Sequence, residues 1–210
     1  MTAASPSPRR RLGESARREA ILAAAREAFA GASFSAVSVA AIGHAAGASE
    51  SLVLRYFGTK AALYEAIVGE QIAQLLEAQE DADRELPEGA TARERIACSV
   101  EVYARFVARA PRGWASTFTH PVGEPVSFTR VRQSLRAGYR RDLYRVTGLP
   151  ISADLDRLFI GYLAFVDGVC FVWVQDGCPL DAVPGIVRQA LGALAGALTA
   201  AGVDPAGLGF

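Results

Sequence analysis

The chain has 210 residues, of which 51% are hydrophobic, and its 22 Lys and Arg balance its 22 Asp and Glu. This length and composition allow a sizeable buried core, which excludes an intrinsically disordered chain. Three cysteines without CxxC or Cys/His spacing indicate reduced thiols in a cytoplasmic protein, and we expect no metal and no cofactor.

The charge is unevenly distributed along the chain. Residues 1–60 carry eight basic and four acidic side chains, whereas residues 61–210 carry fourteen basic and eighteen acidic ones. A basic first part indicates contact with a polyanion, although scattered surface charge would give the same counts. Residues 1–13 are rich in Pro, Ser and Arg and predict a disordered basic tail, whose arginines at 9–11 are either solvated or reach neighbouring DNA.

Short helices are predicted next. Apolar residues at helical spacing predict three helices, at about residues 14–30, 39–46 and 50–57. A fourth helix is predicted to begin at Lys60. Gly31 ends the first helix, and Ser38 and Ser49 stand where the second and third need N-caps. Lys60 is the only lysine in the protein.

Longer helices follow in the second part. They are predicted from Lys60 to a turn at Pro87, and at about residues 91–110, 126–146, 154–175 and 181–201, with a short piece between Pro111 and Pro125. No useful β-type alternation occurs, so the sequence predicts an all-α fold of about nine helices. Asp167 interrupts the longest apolar run, and we therefore expect no membrane span.

The pair of short helices around Gly47 has the spacing of a helix-turn-helix, whose second helix enters the major groove of DNA. Glycine suits this turn because the backbone must leave the right-handed helical region. We expect Ala45 and Ala46 to permit close helix approach. Ile42, Val53 and Phe57 should face the first helix and form a small core with it.

Beyond this geometry, residues 15–68 resemble the N-terminal domain of the tetracycline-repressor (TetR) family of transcription regulators. The resemblance rests on "EAFAGASFSAVSVAAIGHAAGAS" followed by "RYFGTKAALYEAIV". It implies a three-helix DNA-binding domain at residues 14–60 and a ligand-binding and dimerisation domain at residues 61–210. Outside residues 15–68 it implies shared architecture only.

The resemblance also implies residue roles at the DNA. Ser38 and the amides of the second helix would hold a phosphate, and Tyr56 and Lys60 would contact the backbone. The exposed face of the recognition helix would be formed by Ser49, Glu50, Ser51 and Arg55. Arg55 is the main candidate for a guanine or phosphate contact, whereas Ser38 and Ser49 could act as N-caps only.

Several positions depart from the family pattern. Leu54 replaces a common aromatic residue, and Leu52 stands where a smaller or hydroxylated residue is usual. Ala40 and Ala41 replace polar residues of the second helix. Direct base readout could therefore be sparse, which leaves room for readout of DNA shape.

The last two helices are apolar on more faces than one-sided packing requires. Small residues at Gly192, Ala193, Gly196 and Ala197 allow a second helix to approach closely. We expect these helices to form a four-helix bundle with a second copy, the alternative being an internal hairpin.

Aromatic and polar residues of the middle helices predict a mostly apolar ligand cavity. The candidates are Tyr103, Phe106, Trp114, Phe118, His120, Phe128, Tyr139, Phe165 and Asp167. Asp167 could meet an arginine, cap a helix or bind the ligand, because an acid in an apolar helix is costly unless paired. Arg132, Arg136 and Arg140 are expected to form a solvated face, the alternatives being polar partners in the cavity or a site for an acidic ligand.

Together these features predict a homodimeric, sequence-specific DNA-binding transcriptional regulator of a bacterial cytoplasm, acting as a repressor. Its partners would be a near-palindromic double-stranded operator and a small, largely apolar effector that releases it. The alternatives are a DNA-binding or architectural protein without an effector, or a helical enzyme that uses the cavity. The enzyme alternative has no catalytic set in the sequence to support it.

Overall fold

The computed structural model describes residues 13–110, 112–114 and 126–210, with side chains in the last range from residue 130 onward. Within these residues the fold is helical and contains no strand. Eight α-helices are α1 (Glu14–Gly31), α2 (Val39–Ala45), α3 (Glu50–Phe57), α4 (Lys60–Arg84), α5 (Ala92–Arg109), α6 (Val126–Thr147), α7 (Ala153–Gln175) and α8 (Val183–Ala200). Two 3₁₀ segments, Leu180–Ala182 and Pro205–Leu208, flank α8, and residues 112–114 are also helical.

Side-chain caps begin most of these helices. The hydroxyl oxygens of Ser38, Ser49 and Thr59 accept hydrogen bonds from backbone amides at the starts of α2, α3 and α4. At α5, Thr91 and Glu94 form a reciprocal capping box. These caps satisfy amides that have no partner inside the helix, which explains why the predicted starts lie within one or two residues of the observed ones.

Two hydrophobic cores divide the chain. The head core contains Ile21, Leu22, Ala25, Phe29, Val37, Ile42, Val53, Leu63, Tyr64 and Ile67. Ile42 and Val53 are each 1% exposed, and Phe57 packs against this core, as predicted. Because Leu63, Tyr64 and Ile67 belong to it, the first turns of α4 pack with the head.

The body core lies among α5, α6, α7 and α8. Its largest fully buried side chains include Phe159, Leu194 and Leu198. α4 joins the two cores, because it packs on α1 through its first turns and on α5 further along. α4 therefore contributes to the packing of both the head and the body.

Two helices, Ala153–Gln175 and Leu180–Ala200, are long and apolar enough to cross a membrane by length and composition alone. The core helix of a soluble protein meets the same criterion. Here one face of each helix packs in the body core, and the opposite face is exposed in the isolated chain.

Candidate DNA-binding surface and ligand cavity

The turn between α2 and α3 is held by glycine at two positions. Gly47 has φ +64°, so the predicted need for a left-handed residue is confirmed. Gly43 is the point of close approach: a Cβ there would lie 3.0 Å from the carbonyl oxygen of Ala48. Ala46 is half-buried and packs against the head core, whereas Ala45 is exposed, so the expectation is wrong for Ala45 and the closest approach is at Gly43.

α3 presents a polar face to solvent. Ser49, Glu50, Ser51 and Arg55 are exposed, whereas Val53 on the opposite side is buried. The guanidinium of Arg55 lies 5.8 Å from the ring centroid of Tyr56, a cation–π contact that holds both side chains at one end of the helix. This exposed face has the size and polarity needed to enter a major groove.

The serine hydroxyls predicted to meet DNA act as caps in the free protein. Ser38 Oγ accepts a hydrogen bond from the Ala41 amide at 3.4 Å, and Ser49 Oγ accepts from the Leu52 amide at 3.2 Å. Ser49 also shares a hydrogen bond of 3.0 Å with the hydroxyl of Ser51. Both helix N-termini remain at the surface, where their dipoles favour an anionic group.

Lys60 lies against the head rather than extending freely from it. Its Nζ lies 4.4 Å from the ring centroid of Phe34 and donates to the carbonyl oxygen of Ser35 at 3.5 Å. Burial lowers the pKa of this amine. The ammonium group is thereby fixed beside the loop that leads into α2.

A cavity of about 840 Å³ lies in the body among α4, α5, α6 and α7. Five of the predicted ligand residues, Tyr103, Phe106, Trp114, Tyr139 and Asp167, line it. Phe165 does not, because it lies on the outer face of α7 and is 40% exposed. Phe118 and His120 lie outside the described residues, as does the side chain of Phe128.

Asp167 is the centre of a hydrogen-bonded network in the cavity wall. It accepts from the Tyr103 hydroxyl at 2.7 Å and pairs with Arg136 at 2.5 Å. Trp114 Nε1 donates to the same Tyr103 oxygen at 3.0 Å. Burial raises the pKa of the Asp167 carboxyl, and the two donors oppose that rise.

The arginine row of α6 is therefore not simply a solvated face. Arg132 and Arg136 line the cavity, and Arg140 lies 3.5 Å from Asp156 of α7. The expectation fails because a helix between solvent and a cavity can offer arginine both an aqueous edge and a buried acid.

Gln79 and Ser99, which were not predicted from sequence, form a second polar group in the wall with the predicted Tyr139. The Tyr139 hydroxyl donates to Gln79 Oε1 at 2.9 Å, and Gln79 Nε2 donates to Ser99 of α5. Gln79 follows the buried Leu75 by four residues on α4. This spacing was the available signal that Gln79 faces inward.

The cavity reaches the head through residues 112–114. Phe29, Ala30 and Tyr64 line one end of it. Gly113 packs so closely on α1 that a Cβ there would overlap the carbonyl oxygen of Phe29. Its neighbour Trp114 lines the cavity, so this segment contacts both the cavity and the head.

The outer faces of α7 and α8 are apolar and are not covered by any described residue. On α7 the large exposed side chains are Ile160, Phe165 and Val172. On α8, Gly192 and Gly196 are exposed, and a Cβ at either would have no heavy atom within 4 Å. Such a combination of apolar and small residues is suited to close packing by other helices.

Part of the chain matches the model of a known protein family. Residues 21–67 match the model for bacterial regulatory proteins of the tetR family. No curated protein sequence gives a significant match.

Solved structures share the whole fold. A tetR-family transcriptional regulator from Streptomyces coelicolor has a TM-score of 0.71 at 22% identity, over 90% of this chain and 83% of that one. The regulator FadR from Bacillus subtilis, in complex with stearoyl-CoA, has a TM-score of 0.67 at 19% identity, over 84% of this chain and 96% of that one. A cysteine mutant of the TetR-family regulator CifR, complexed with 26 bp of double-strand operator DNA, has a TM-score of 0.61 at 21% identity, over 89% of this chain and 98% of that one.

Proposed function

Because this chain is a transcription regulator of the tetR family, with the family's N-terminal domain at residues 21–67, we propose that it is a homodimeric repressor that a small, largely apolar ligand releases from its operator. The observation that carries this proposal is the exposed polar face of α3. The head core holds α3 in place, because it includes Ile42 of α2 before the Gly47 turn and Val53 of α3 after it.

Arg55 carries sequence recognition in this proposal. Its planar donor fork matches guanine O6 and N7 or a phosphate. Ser49, Glu50 and Ser51 lie along the same exposed face and approach the base edges. Ser38, Tyr56 and Lys60 contact the sugar–phosphate backbone and fix the orientation of the head.

Dimerisation uses the outer faces of α7 and α8. Burying Ile160, Phe165 and Val172 against a second copy removes exposed apolar surface from water, and Gly192 and Gly196 let the helices approach closely. The two recognition helices then read two half-sites of a near-palindromic operator, about 34–36 Å apart as one turn of DNA requires.

Release follows from the contact between cavity and head. A ligand that displaces Trp114 also moves Gly113, which packs on the end of α1, and so changes the angle between α4 and the body. The ligand must bind the DNA-incompetent arrangement more tightly than the competent one, since only differential affinity shifts the equilibrium. The FadR neighbour with stearoyl-CoA and the CifR neighbour with operator DNA support the two halves of this proposal.

The test is selection of bound fragments from random double-stranded DNA, followed by affinity measurements for the enriched sequence and a scrambled control at several salt concentrations. We expect an inverted repeat bound at least 10³-fold more tightly than the control. Weak binding without enrichment, lost as salt rises, would contradict sequence-specific regulation and leave only electrostatic attraction to DNA.

A further inference from the structure

The cavity wall contains polar side chains that already satisfy one another. Tyr103 donates to Asp167 and accepts from Trp114, while Tyr139 donates to Gln79. A ligand atom gains little by competing with these bonds, because each broken bond must be replaced.

Tyr162 is the exception among the buried polar side chains of the described wall residues. It lines the cavity from α7, is 5% exposed, and its hydroxyl has no hydrogen-bond partner among the described residues. A buried hydroxyl without a partner lowers stability, and such a group in a native structure calls for a functional explanation. An acceptor atom on a bound molecule would supply the missing partner.

The charges of the wall are neutralised within the protein. The described wall residues include four acids and five arginines, which are Glu80, Asp83, Asp142, Asp167, Arg84, Arg95, Arg132, Arg136 and Arg145. Arg95 pairs with Asp83 at 2.7 Å, Arg136 with Asp167 at 2.5 Å, and Arg145 with Asp142 at 3.3 Å.

The remaining charged groups also have partners or water. Arg84 pairs with Asp81, and Arg132 also has an interaction partner. Glu80 is exposed to water. Away from the exposed Glu80, a charged ligand group inside the cavity would have to break one of these pairs or stay uncompensated, and both are costly.

We propose that the effector enters the cavity as an uncharged, elongated apolar group bearing one oxygen acceptor, such as a ketone or ester carbonyl, which accepts a hydrogen bond from the Tyr162 hydroxyl. This inference rests on the proposed function and names the ligand class of its cavity. The apolar residues of the cavity wall, including Leu75, Val100 and Val166, hold the hydrocarbon part. The volume of about 840 Å³ lies within the roughly 300–1,000 Å³ usual for small-molecule sites.

Three probes of equal chain length separate the possible head groups. They are 2-dodecanone, dodecanoate and dodecyltrimethylammonium, titrated into the full chain by calorimetry below their micellar concentrations. We expect the ketone to bind at least about tenfold more tightly than either charged probe. Equal or tighter binding of a charged probe would overturn the proposal.

Tyr162→Phe tests the hydrogen bond. It should raise the Kd of 2-dodecanone by about threefold to tenfold, the effect of losing one hydrogen bond. The Tm of the free variant should stay equal or rise, because the hydroxyl that is removed has no partner to lose. An unchanged ketone Kd would overturn the role of Tyr162, whatever the stability of the variant.

Tyr144→Phe is the matched control, because it removes a tyrosine hydroxyl outside the cavity. That hydroxyl bonds to Ser152 and Asp156. Its loss should change the Tm without changing the ketone Kd. A drop in ketone affinity in this control as large as in Tyr162→Phe would count against a specific contact.

Operator binding, measured in parallel, separates this inference from the proposed function. Intact operator binding with no binding of any probe would overturn the ligand class and leave the DNA-binding function standing. Tight ketone binding that depends on Tyr162, together with no operator selection, would support the ligand class and contradict the regulator function.

Discussion

Arg55 is the exposed cation at the end of α3, beside the ring of Tyr56. Arg55→Ala should weaken binding to the selected operator by about 1–3 kcal/mol and relax preference at one base pair, because a bidentate contact to a base edge is lost. Fluorescence anisotropy with operator and scrambled DNA measures both effects. Arg93→Ala, which removes an exposed arginine of α5, is the control for net charge, and an Arg55 variant no weaker than this control would refute the assignment.

Lys60 should act without regard to sequence, since its ammonium lies beside the loop before α2 and not on α3. Lys60→Met retains an apolar stem over Phe34 and removes the charge. Binding to operator and scrambled DNA should weaken in parallel, and the slope of log K against log salt should fall by about one unit. Loss of operator affinity alone, at an unchanged salt slope, would argue for a base contact instead.

At the scale of elements, the α2–α3 pair depends on close backbone approach at Gly43. Gly43→Val should lower the free energy of unfolding by about 1–3 kcal/mol, because its Cβ would press on the carbonyl oxygen of Ala48. The variant should also lose operator affinity, as α3 is displaced on the head core.

Gly69→Val provides the comparison within a helix. Gly69 lies in α4, and a Cβ there would have no heavy atom within 4 Å. The valine should therefore be tolerated with little change in urea midpoint. Equal midpoints for the two variants would show that the contact at Gly43 is not tight in solution.

At the scale of the whole molecule, the bare faces of α7 and α8 predict the oligomeric state. Gly192→Glu should leave the folded chain intact, because the position is open in the isolated chain, and should prevent dimerisation by introducing a charge between closely packed helices. Sedimentation should show a monomer, and operator affinity should fall by about 10²-fold or more as the two half-sites lose their linkage. Gly69→Glu should remain dimeric; a dimeric Gly192→Glu would place the interface elsewhere.

Communication between cavity and head is also a property of the whole molecule. Tyr103→Phe removes the hydroxyl that joins Trp114 to Asp167. Ketone binding should remain within about threefold, since this hydroxyl is already satisfied inside the wall, while ketone-dependent release of operator should be strongly reduced. Release equal to that of the native chain, measured by anisotropy at saturating 2-dodecanone, would exclude this route.

The local structure and the order of the helices follow from interactions between residues that are close in the sequence. The caps at Ser38 and Ser49, the left-handed turn at Gly47 and the apolar spacing of each helix are interactions within a few residues. Local terms of this kind can be read from the order of side chains alone. For the same reason the all-α class and the helix-turn-helix were predictable, with helix ends within about two residues.

Which helix faces meet depends on the packing of helices that are distant in the sequence. Phe165 and Asp167 are two residues apart on α7, yet one lies on the outer face and the other faces Arg136, which is 31 residues away in sequence. Periodicity indicates that a helix has an inner side but not which neighbour covers it. The unpaired hydroxyl of Tyr162 and the close approach at Gly43 likewise exist only once distant helices pack, because their energies come from contacts that the order of residues does not specify.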